Sequence, residues 1–527
     1  MRNYLSSNRS LLLFLCTYRI LNVILTETIF EPDEIWQNIE PINYFLFGHG
    51  VLLWDWLTGI RTVVGLIFYI PNFILYHLLL KNRIYYDLFS FYLPRIISGL
   101  ICVISNYYTI RLGELYHKDR NDMIFRVIIS HGIWLYGTRT HTDTLIMNLG
   151  VIIFYFFKKY LIQIQSRNKK TENGNMEGSF LIPSALAFLL LSYIFYLRPP
   201  SIVLLIPILL EIIIYYFNNS YVDLIKFLST SILYAITFLS SFIVIDSLFV
   251  GKIFSSTIFF IMVNIIYGIS ELFGTSPFYF TILFFTVLVG IQILEFIFKM
   301  NRNIVVSSSA ILYLLVYSIV GHKEMRFLLP AIPFVLIVCA ENKKIKVGNK
   351  NKRATKYKRN ITKYLSIKNI IRFILIIQYL VSVFINVTHQ RVMPTLRYLK
   401  ENTSPNDSIF FCVCPYSFPV YSYLTLHKDL KMLTGEQDIF SKMNDIKVLD
   451  KYKGQNIIVG EYKKFKENLP KSLEQYTSYD CMVINKTFYN QSRSILRNYK
   501  VVEIFRYAYV MAEDDKDIFL YVIKKIK

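Results

Sequence analysis

Apolar runs of about 18–22 residues, the length at which a helix crosses the hydrocarbon core of a bilayer, alternate with short polar gaps between residues 11 and 388. Hydrophobic residues make up 54% of the chain and charged residues only 18%, whereas a typical soluble domain has about 25% charged residues. The alternation therefore predicts an α-helical polytopic membrane protein and excludes a water-soluble enzyme.

The predicted transmembrane domain covers residues 1–388 and contains roughly 11–13 helices. Candidate spans lie at residues 11–25, 62–81, 91–110, 122–137, 143–157, 180–197, 200–217, 226–247, 277–299, 304–320, 326–341 and 369–388. After residue 389 the apolar runs shorten to strand length, at 408–413, 456–459 and 519–523. Because such short runs are typical of strands, residues 389–527 are expected to form a small α/β domain.

Basic residues exceed acidic residues by 22, and many of them lie in 158–170 and in a loop predicted at 342–368. Loops rich in Lys and Arg remain in the cytosol. Alternating spans then place residues 26–61, 198–200, 246–277, 321–326 and the C-terminal domain on the luminal side. No basic face lies on a soluble domain large enough to bind nucleic acid, so we expect the membrane and no nucleic acid among the partners.

Between residues 62 and 158 the predicted spans do not alternate consistently between the two sides of the membrane. This stretch contains four apolar runs, whereas the predicted orientation needs an odd number of crossings. Either residues 122–158 cross once through a broken helix, or one of the runs is re-entrant. The sequence leaves both possibilities open.

The first luminal loop, residues 26–61, combines carboxylates with aromatic and amide side chains. Its conspicuous residues are Glu31, Asp33, Glu34, Trp36 and Gln37. A carboxylate at the membrane surface can act as a general base that accepts a proton from a hydroxyl group. The alternative is structural, since Asp33 would also suit the N-terminal cap of an interfacial helix.

Charges beside membrane spans are costly and usually functional. The conspicuous ones are Arg139, Arg198, Asp246, His322, Lys323 and Arg326. The last three lie within five residues, and such a group can hold a phosphate and stabilise it as it leaves. The alternative is that these charges only anchor the helix ends. The six cysteines show no CxxC spacing, and no metal cofactor is expected.

Several motifs occur in one order over nearly the whole predicted transmembrane domain. They read FEPDEIWQ, GHGVLLWDW, TRTHTDT, YLRPP, DSLFVGK, FGTSPFYFT and GHKEMRFLLPAIPF. In this combination the chain resembles glycosyltransferase family 22, the membrane mannosyltransferases that use dolichyl-phosphate mannose. Within the family it is most similar to the subgroup that adds the third, α-1,2-linked mannose to glycosylphosphatidylinositol (GPI) precursors.

The resemblance implies a GT-C fold in the endoplasmic reticulum membrane, with a luminal active site and an inverting displacement. Asp33 would be the base, with Glu34 orienting substrate or holding the loop. His322, Lys323, Arg326 and Arg198 would neutralise the departing phosphate, and Arg139, Gln37, Trp36 and Asp246 would contribute to substrate binding. The partners would be the lipid-linked donor and the GPI glycolipid acceptor, without a metal.

Two other functions are considered at this point. One lies within the family, an α-mannosyltransferase of the dolichol-linked N-glycan precursor, which the PDE-x-WQ loop and the HKEMRF segment disfavour. The other is a membrane transporter. Transporters often show internal repeats and interrupted helices near the middle of the membrane. This sequence shows no repeat, and its polar clusters are predicted to lie on one face.

Overall fold

The computed structural model describes residues 7–29, 31, 33–48, 52–79, 91–168, 181–343, 354–389, 392–412, 430–433, 457–458, 473–506 and 519–526. The N-terminal half contains helices α1 (Asn8–Leu25), α2 (Glu40–Phe47), α3 (Trp54–Leu57), α4 (Ile70–Leu79), α5 (Leu93–Leu115), α6 (Arg120–Ile129), α7 (His131–Tyr136), α8 (Thr142–Asn168), α9 (Leu181–Leu197), α10 (Ile206–Asn219) and α11 (Tyr221–Val250). Helices α12 (Ser256–Ile261), α13 (Tyr279–Val289), α14 (Gln292–Lys299), α15 (Ile304–Ile319), α16 (Ile332–Cys339), α17 (Ala354–Thr388) and α18 (Met393–Asn402) follow. Short 3₁₀ segments occupy Val63–Leu66, Pro199–Leu205, Ile269–Phe273, Met300–Arg302 and Met325–Ala331.

Six helical segments of the described chain are long and apolar enough to cross a membrane. They are Asn8–Leu25, Leu93–Leu115, Thr142–Ser166, Pro199–Asn219, Tyr221–Val250 and Lys368–Asn402. Counting the bent pair α13 and α14 as one span makes seven, and four shorter apolar helices accompany them. The prediction of a helical multi-pass membrane protein is confirmed, whereas the count of roughly 11–13 spans stays a prediction.

Helices α6 and α7 follow each other directly and are separated by Ser130, whose backbone is extended. Before α6, the Asp119 amide donates to Glu341 O on the face that carries the basic segments, here called the basic face. After α7, the Thr140 hydroxyl donates to Glu34 O on the opposite face, here called the first-loop face. Helix α8 then runs back. Residues 122–158 therefore form two successive helical passes, α6 with α7 and then α8, and the number of times that they cross the membrane stays a prediction.

The run predicted at 62–81 is described as far as Leu79 and contains the short helix α4. Leu66 and Tyr69 precede α4, Phe91 precedes α5, and all three are buried in one hydrophobic core with Trp36 of the first loop. The chain thus begins and ends this stretch on the first-loop face. This arrangement favours the re-entrant alternative, which stays a prediction.

The span predicted at 277–299 is two helices that meet at an angle of 111°. The bend is at Gly290, whose φ of 59° and ψ of −140° are accessible to glycine and strained for other residues. A Cβ atom at this position would lie 2.3 Å from the side chain of Gln378. A second difference concerns the basic loop predicted at 342–368, because α17 already begins at Ala354.

The C-terminal domain contains a mixed sheet of β1 (Ile409–Cys412), β2 (Leu430–Leu433), β3 (Ile457–Ile458), β4 (Cys481–Asn485), β5 (Tyr499–Arg506) and β6 (Phe519–Lys525), with α19 (Lys486–Gln491) after β4. The strand order is β3-β2-β1-β4-β6-β5. The first four are parallel, and β6 pairs antiparallel with both β4 and β5. The predicted small α/β domain and its three predicted strands are confirmed.

The C-terminal domain and the first loop share one hydrophobic core. Trp36 and Trp56 of the loop are buried together with Leu396 of α18, Phe411 of β1 and Val483 of β4. Burial of aromatic and aliphatic side chains between them is worth about 1.5–3 kcal/mol for each side chain. The sheet therefore packs against the first loop. The predicted domain boundary at residue 389 thus does not separate two independent hydrophobic cores.

Candidate active site

The first loop opens with a helical segment that begins at Asp33 and ends at Gly48. Residues Ile35–Ile39 form a π-helical turn, and Gly48 ends the helix in the left-handed conformation with a φ of 66°. A π-turn widens the helix and is frequent at functional sites. Trp36 and Ile39 enter the shared core, so the turn fixes where the Asp33 side chain lies.

Arg326 is surrounded by carboxylates from three separate segments. Its Nη2 atom lies 2.6 Å from Asp33 Oδ2 and 2.5 Å from Glu324 Oε2. Its Nη1 lies 3.6 Å from Glu31 Oε2, and its Nε lies 3.8 Å from Asp143 Oδ2. The first loop, the start of α8 and the His322–Arg326 segment thus converge on one buried guanidinium.

Arg198 brings a second guanidinium to the same place. It forms a close ion pair with Asp143, which also faces Arg326. Its guanidinium carbon lies 4.1 Å from the ring centre of Phe327, an arrangement in which the aromatic face stabilises the cation. Arg198 precedes the 3₁₀ segment Pro199–Leu205, so the break between α9 and α10 positions this side chain.

The carboxylates around Arg326 differ in basicity. Burial raises the pKa of Glu31 to about 7, although Arg326 lowers it and Tyr136 donates a hydrogen bond of 2.9 Å. Burial also raises the pKa of Asp33 against the opposing effect of Arg326. For Glu324 burial acts in the same direction, but Arg326 and His322 lower its pKa to about 2. Of the two carboxylates bonded to Nη2, Asp33 is therefore the stronger base.

Glu34 has a different environment, a buried pair of arginines. Arg95 Nε and Arg139 Nη1 lie 2.5 Å and 2.7 Å from its two carboxylate oxygens. Burial alone would raise the pKa of Glu34, but the two guanidinium groups lower it to about 2. Arg139 also donates to Thr28 and to Asn386 of α17. The structure places Glu34 and Arg139 where they fasten the first loop to the helices.

The model of the Alg9-like mannosyltransferase family matches residues 10–425 of this sequence. The chain belongs to that family. Its relatives include human GPI alpha-1,2-mannosyltransferase 3, which is 25% identical over 83% of this chain and 74% of its own length. GPI mannosyltransferase 3 of Drosophila melanogaster is 26% identical, over 82% of this chain and 72% of its own.

A solved structure shares the fold of this mannosyltransferase. ArnT from Cupriavidus metallidurans, crystallised with undecaprenyl phosphate, superposes with a TM-score of 0.55 and covers 97% of both chains. The identity is only 10%, so the similarity concerns the fold. The predicted GT-C fold and the predicted membership of the mannosyltransferase family are confirmed.

Three residues that the sequence predicted as site residues of the mannosyltransferase form hydrogen bonds at the edge of the site. Gln37 donates a short hydrogen bond to Asp33. His322 bonds through Nε2 to Glu324 at 2.8 Å and through Nδ1 to a backbone oxygen at 3.0 Å. Lys323 donates to two backbone oxygens, at 2.8 Å and 2.5 Å. Because Glu324 bridges His322 to the guanidinium, the imidazole acts on the site through that carboxylate.

Trp36 and Asp246 lie outside this convergence. Trp36 is 1% exposed within the shared core. Asp246, at the end of α11, accepts hydrogen bonds from the Thr62 hydroxyl, the Val63 amide and the Tyr196 hydroxyl. Both fasten the first loop to its surroundings. Their predicted roles in substrate binding stay predictions.

Sequence reasoning assigned no role to four residues that the structure brings to the site. Asp143 and Glu324 pair with the two arginines, Arg95 pairs with Glu34, and His141 is 1% exposed beside them. Neither ring nitrogen of His141 has a hydrogen-bond partner within the described chain, and burial lowers its pKa to about 3. Arg95 could have been found, since a charge inside an apolar run is itself a signal.

The described part of the chain contains no group of three or more His, Cys, Asp or Glu side chains arranged to hold a metal ion. The four carboxylates around Arg326 surround a guanidinium instead. The expectation that no metal takes part stays a prediction, and what the arrangement offers chemically is a carboxylate base opposite two cations.

Proposed function

We propose that this protein transfers mannose from dolichyl-phosphate mannose to a GPI precursor in the endoplasmic reticulum membrane, adding the third, α-1,2-linked mannose on the luminal side. Two kinds of observation support the proposal. The relatives named above carry this activity in their names. The observation that carries the chemistry is the contact between Asp33 and Arg326, which pairs a base with a phosphate-binding cation on one face of the membrane domain.

The proposed reaction is a direct displacement. The oxygen of an acceptor hydroxyl attacks C1 of the donor mannose, and the bond from C1 to the phosphate oxygen breaks. Asp33 takes the hydroxyl proton, and dolichyl phosphate leaves with the electron pair and one additional negative charge. The β-linked donor then gives an α-linked product. A transition state of this type needs a carboxylate on the acceptor side and cations beside the leaving group.

In the proposed reaction, Arg326 and Arg198 stabilise the leaving phosphate. A guanidinium binds phosphate through two parallel N–H donors. In the structure Arg326 contacts Asp33 and Glu324. A phosphate that takes the place of Asp33 on Arg326 would release that carboxylate at the moment when it is needed as a base. Donor binding would thereby activate Asp33.

We assign a positioning role to Glu34 and Arg139. The helical segment that carries Asp33 is held by Glu34, which Arg95 and Arg139 bind on both carboxylate oxygens. Gln37 lies one turn further along and orients the Asp33 side chain. The buried pairs are strong only because every partner is present, so they hold Asp33 in a defined place.

The test is complementation of a cell line that lacks the third GPI mannosyltransferase, with surface GPI-anchored protein as the readout. We expect the wild-type chain to restore the surface signal and Asp33→Asn to abolish it at equal abundance. Asp223→Asn is a matched control, because Asp223 is exposed at the start of α11. Well-expressed wild-type protein that does not restore surface GPI-anchored protein would contradict the proposal.

A further inference from the structure

Short Asn-x-Ser/Thr motifs recur along the chain. Such a motif is the acceptor for an N-linked glycan, which is bulky and polar and is therefore carried on the surface of a protein in the secretory pathway. Because a three-residue motif also arises by chance, the position of each asparagine in the fold decides whether it can carry a glycan. The motifs begin at Asn8, Asn218, Asn360, Asn386, Asn402, Asn406, Asn485 and Asn490.

The motifs at Asn8 and Asn218 lie on the basic face. Arg120, at the start of α6, donates to Asn8 Oδ1 at 3.1 Å. Asn218 is exposed near the end of α10. This part of α10 reaches the basic segment of α8, since the Tyr215 hydroxyl donates to Ile164 O at 3.4 Å. Basic segments remain in the cytosol, so neither asparagine meets a luminal enzyme.

The two motifs in α17 are unsuitable for different reasons. Asn360 precedes Lys368, which forms an ion pair with Glu341 at 2.5 Å on the basic face. Asn386 lies near the other end of the helix and is 0% exposed. Its Nδ2 atom, to which a glycan would be attached, donates to Trp134 O at 3.2 Å inside the membrane domain. Asn360 therefore belongs to the cytosolic side, and Asn386 has no room for a sugar.

Four motifs remain, all in the C-terminal domain, and two of their asparagines are engaged in the fold. Asn485 is 5% exposed, and its Oδ1 atom caps α19 by accepting from the Phe488 amide at 2.8 Å. Asn402 ends α18, and its Nδ2 atom donates to Tyr398 O at 2.9 Å. A glycan on Asn485 would prevent the burial of β4, and one on Asn402 would compete with the hydrogen bond at the end of its helix.

Asn406 and Asn490 are exposed and have free side-chain amides. Asn406 lies in the turn between α18 and β1, and Asn490 lies in α19. Among the residues that the structure describes, neither side-chain amide has a hydrogen-bond partner, and Asn406 donates only through its backbone amide, to Ser404 Oγ at 3.4 Å. Because β1 and β4 are parallel, the turn before β1 and the helix after β4 lie at opposite ends of the sheet. Two glycans at these positions would not interfere with each other.

The C-terminal domain lies on the first-loop face. Its α18, β1 and β4 share a hydrophobic core with Trp36 and Trp56 of the first loop. The proposed function places that loop in the lumen of the endoplasmic reticulum, and the inference rests on the proposed function for this point alone. Asn406 and Asn490 therefore meet a different compartment from Asn218, although all three asparagines are exposed.

We propose that Asn406 and Asn490 are N-glycosylation sites, each of which accepts one oligosaccharide from a lipid-linked diphosphate donor through the oligosaccharyltransferase of the lumen. In each transfer the Nδ2 atom of the asparagine forms a bond to C1 of the terminal sugar, and the bond from C1 to the diphosphate oxygen breaks. The lipid diphosphate leaves with the electron pair, and the amide nitrogen loses a proton.

The serine two residues after each asparagine, Ser408 or Ser492, completes the motif that the transferase recognises. Ser492 is 0% exposed in the folded domain. Its burial is no obstacle, because the oligosaccharide is transferred to the nascent chain before the domain folds. Exposure of the asparagine then decides whether the folded domain tolerates the glycan.

Glycosidase digestion of the full-length protein tests the proposal. The chain is produced in the cell line that lacks the third GPI mannosyltransferase, and its mobility on an immunoblot is compared before and after treatment with peptide N-glycosidase F. We expect wild type to carry two glycans, Asn406→Gln and Asn490→Gln one each, and the double variant none. Ser492→Ala keeps Asn490 but removes the hydroxyl group of its motif, and it should match Asn490→Gln.

Asn218→Gln and Asn402→Gln are the matched controls, because both asparagines are exposed and begin the same motif. Both variants should keep two glycans. The loss of a glycan in either control, a glycan that survives in the double variant, or a single glycan on wild type would overturn the assignment of the two sites.

The same cells separate this inference from the proposed function, since surface GPI-anchored protein is measured in parallel. A wild-type chain that restores the surface signal but carries no glycan would overturn this inference alone. A chain that carries glycans on Asn406 and Asn490 but does not restore the signal would contradict only the proposed function.

Discussion

The Oδ2 atom of Asp33 lies 2.6 Å from Nη2 of Arg326, although one residue is near the beginning and the other near the end of the sequence of the transmembrane domain. Each side chain has a second partner: Asp33 accepts a hydrogen bond from Gln37, and Arg326 forms an ion pair with Glu324. A base and a phosphate-binding cation that are paired at rest must separate before either can act. Binding of the donor phosphate to Arg326 is the step that separates them in the proposed mechanism.

Asp33→Asn is expected to lower the rate of mannose transfer by about 10²–10⁴-fold, because general base catalysis typically contributes this much. The amide can still accept from Gln37 but cannot take a proton at neutral pH. Abundance and thermal stability in detergent should remain close to wild type, since Arg326 keeps Glu324, Glu31 and Asp143 beside it when residue 33 is neutral. Near-normal turnover of this variant, assayed in microsomes with saturating donor, would move the base to another carboxylate.

Arg326→Lys is expected to raise the KM for dolichyl-phosphate mannose at least tenfold. Lysine keeps the charge but has a single ammonium group, which cannot contact Asp33, Glu324 and a phosphate with a planar fork. The acceptor KM should change little, because the proposed reaction assigns Arg326 to the donor phosphate. Arg302→Lys, close to the basic face, provides the control. An unchanged donor KM in Arg326→Lys would argue against phosphate binding at Arg326.

Much of the architecture could be predicted because hydropathy depends on local composition. The apolar runs indicated the helices, the short runs indicated β1, β3 and β6, and the alternation of charge placed the first loop, Arg198, Arg326 and the C-terminal domain on one face. The structure brings all of these together. The choice of Asp33 and Arg326 as candidates needed only residue types and the face on which they lie.

Other features depend on contacts between distant residues and could not be predicted. The bend at Gly290 depends on the approach of Gln378 from another helix. The run predicted at 62–81 is apolar like the spans, and the burial of its residues Leu66 and Tyr69 with Trp36 depends on contacts that composition does not show. Likewise, nothing local separates the roles of Asp33 and Glu34, which are adjacent in sequence but point to Arg326 and to Arg95, respectively.

Glu34→Gln is expected to destabilise the protein, in contrast to Asp33→Asn. Removing the carboxylate charge leaves Arg95 and Arg139 buried without the negative charge of Glu34 that balances them, which costs about 3–5 kcal/mol. The depressed pKa of Glu34, about 2, means that this ion pair persists at any pH from neutral down to about 3. We expect a lower melting temperature and lower abundance, measured by thermal shift and immunoblotting. A Glu34→Gln variant as stable as wild type but inactive would instead give Glu34 a direct role in catalysis.

The pH dependence of donor binding is expected to follow Glu31. Burial raises its pKa from 4.5 to about 7, and its carboxylate lies 3.6 Å from Arg326. As the pH rises through 7 the group loses its proton and adds a negative charge beside the phosphate site, so the donor KM should increase.

Because the pKa of Glu31 is raised in the folded state, the stability that this group contributes is fully present below pH 4.5 and is lost as the pH rises to about 7. In Glu31→Gln the donor KM should therefore change less between pH 6 and 8 than in wild type. The variant should also have a higher melting temperature than wild type at pH 8. Asp223→Asn, which changes an exposed carboxylate, should keep the wild-type profile. A pH profile that is identical in wild type and Glu31→Gln would show that Glu31 does not titrate beside Arg326 in this range.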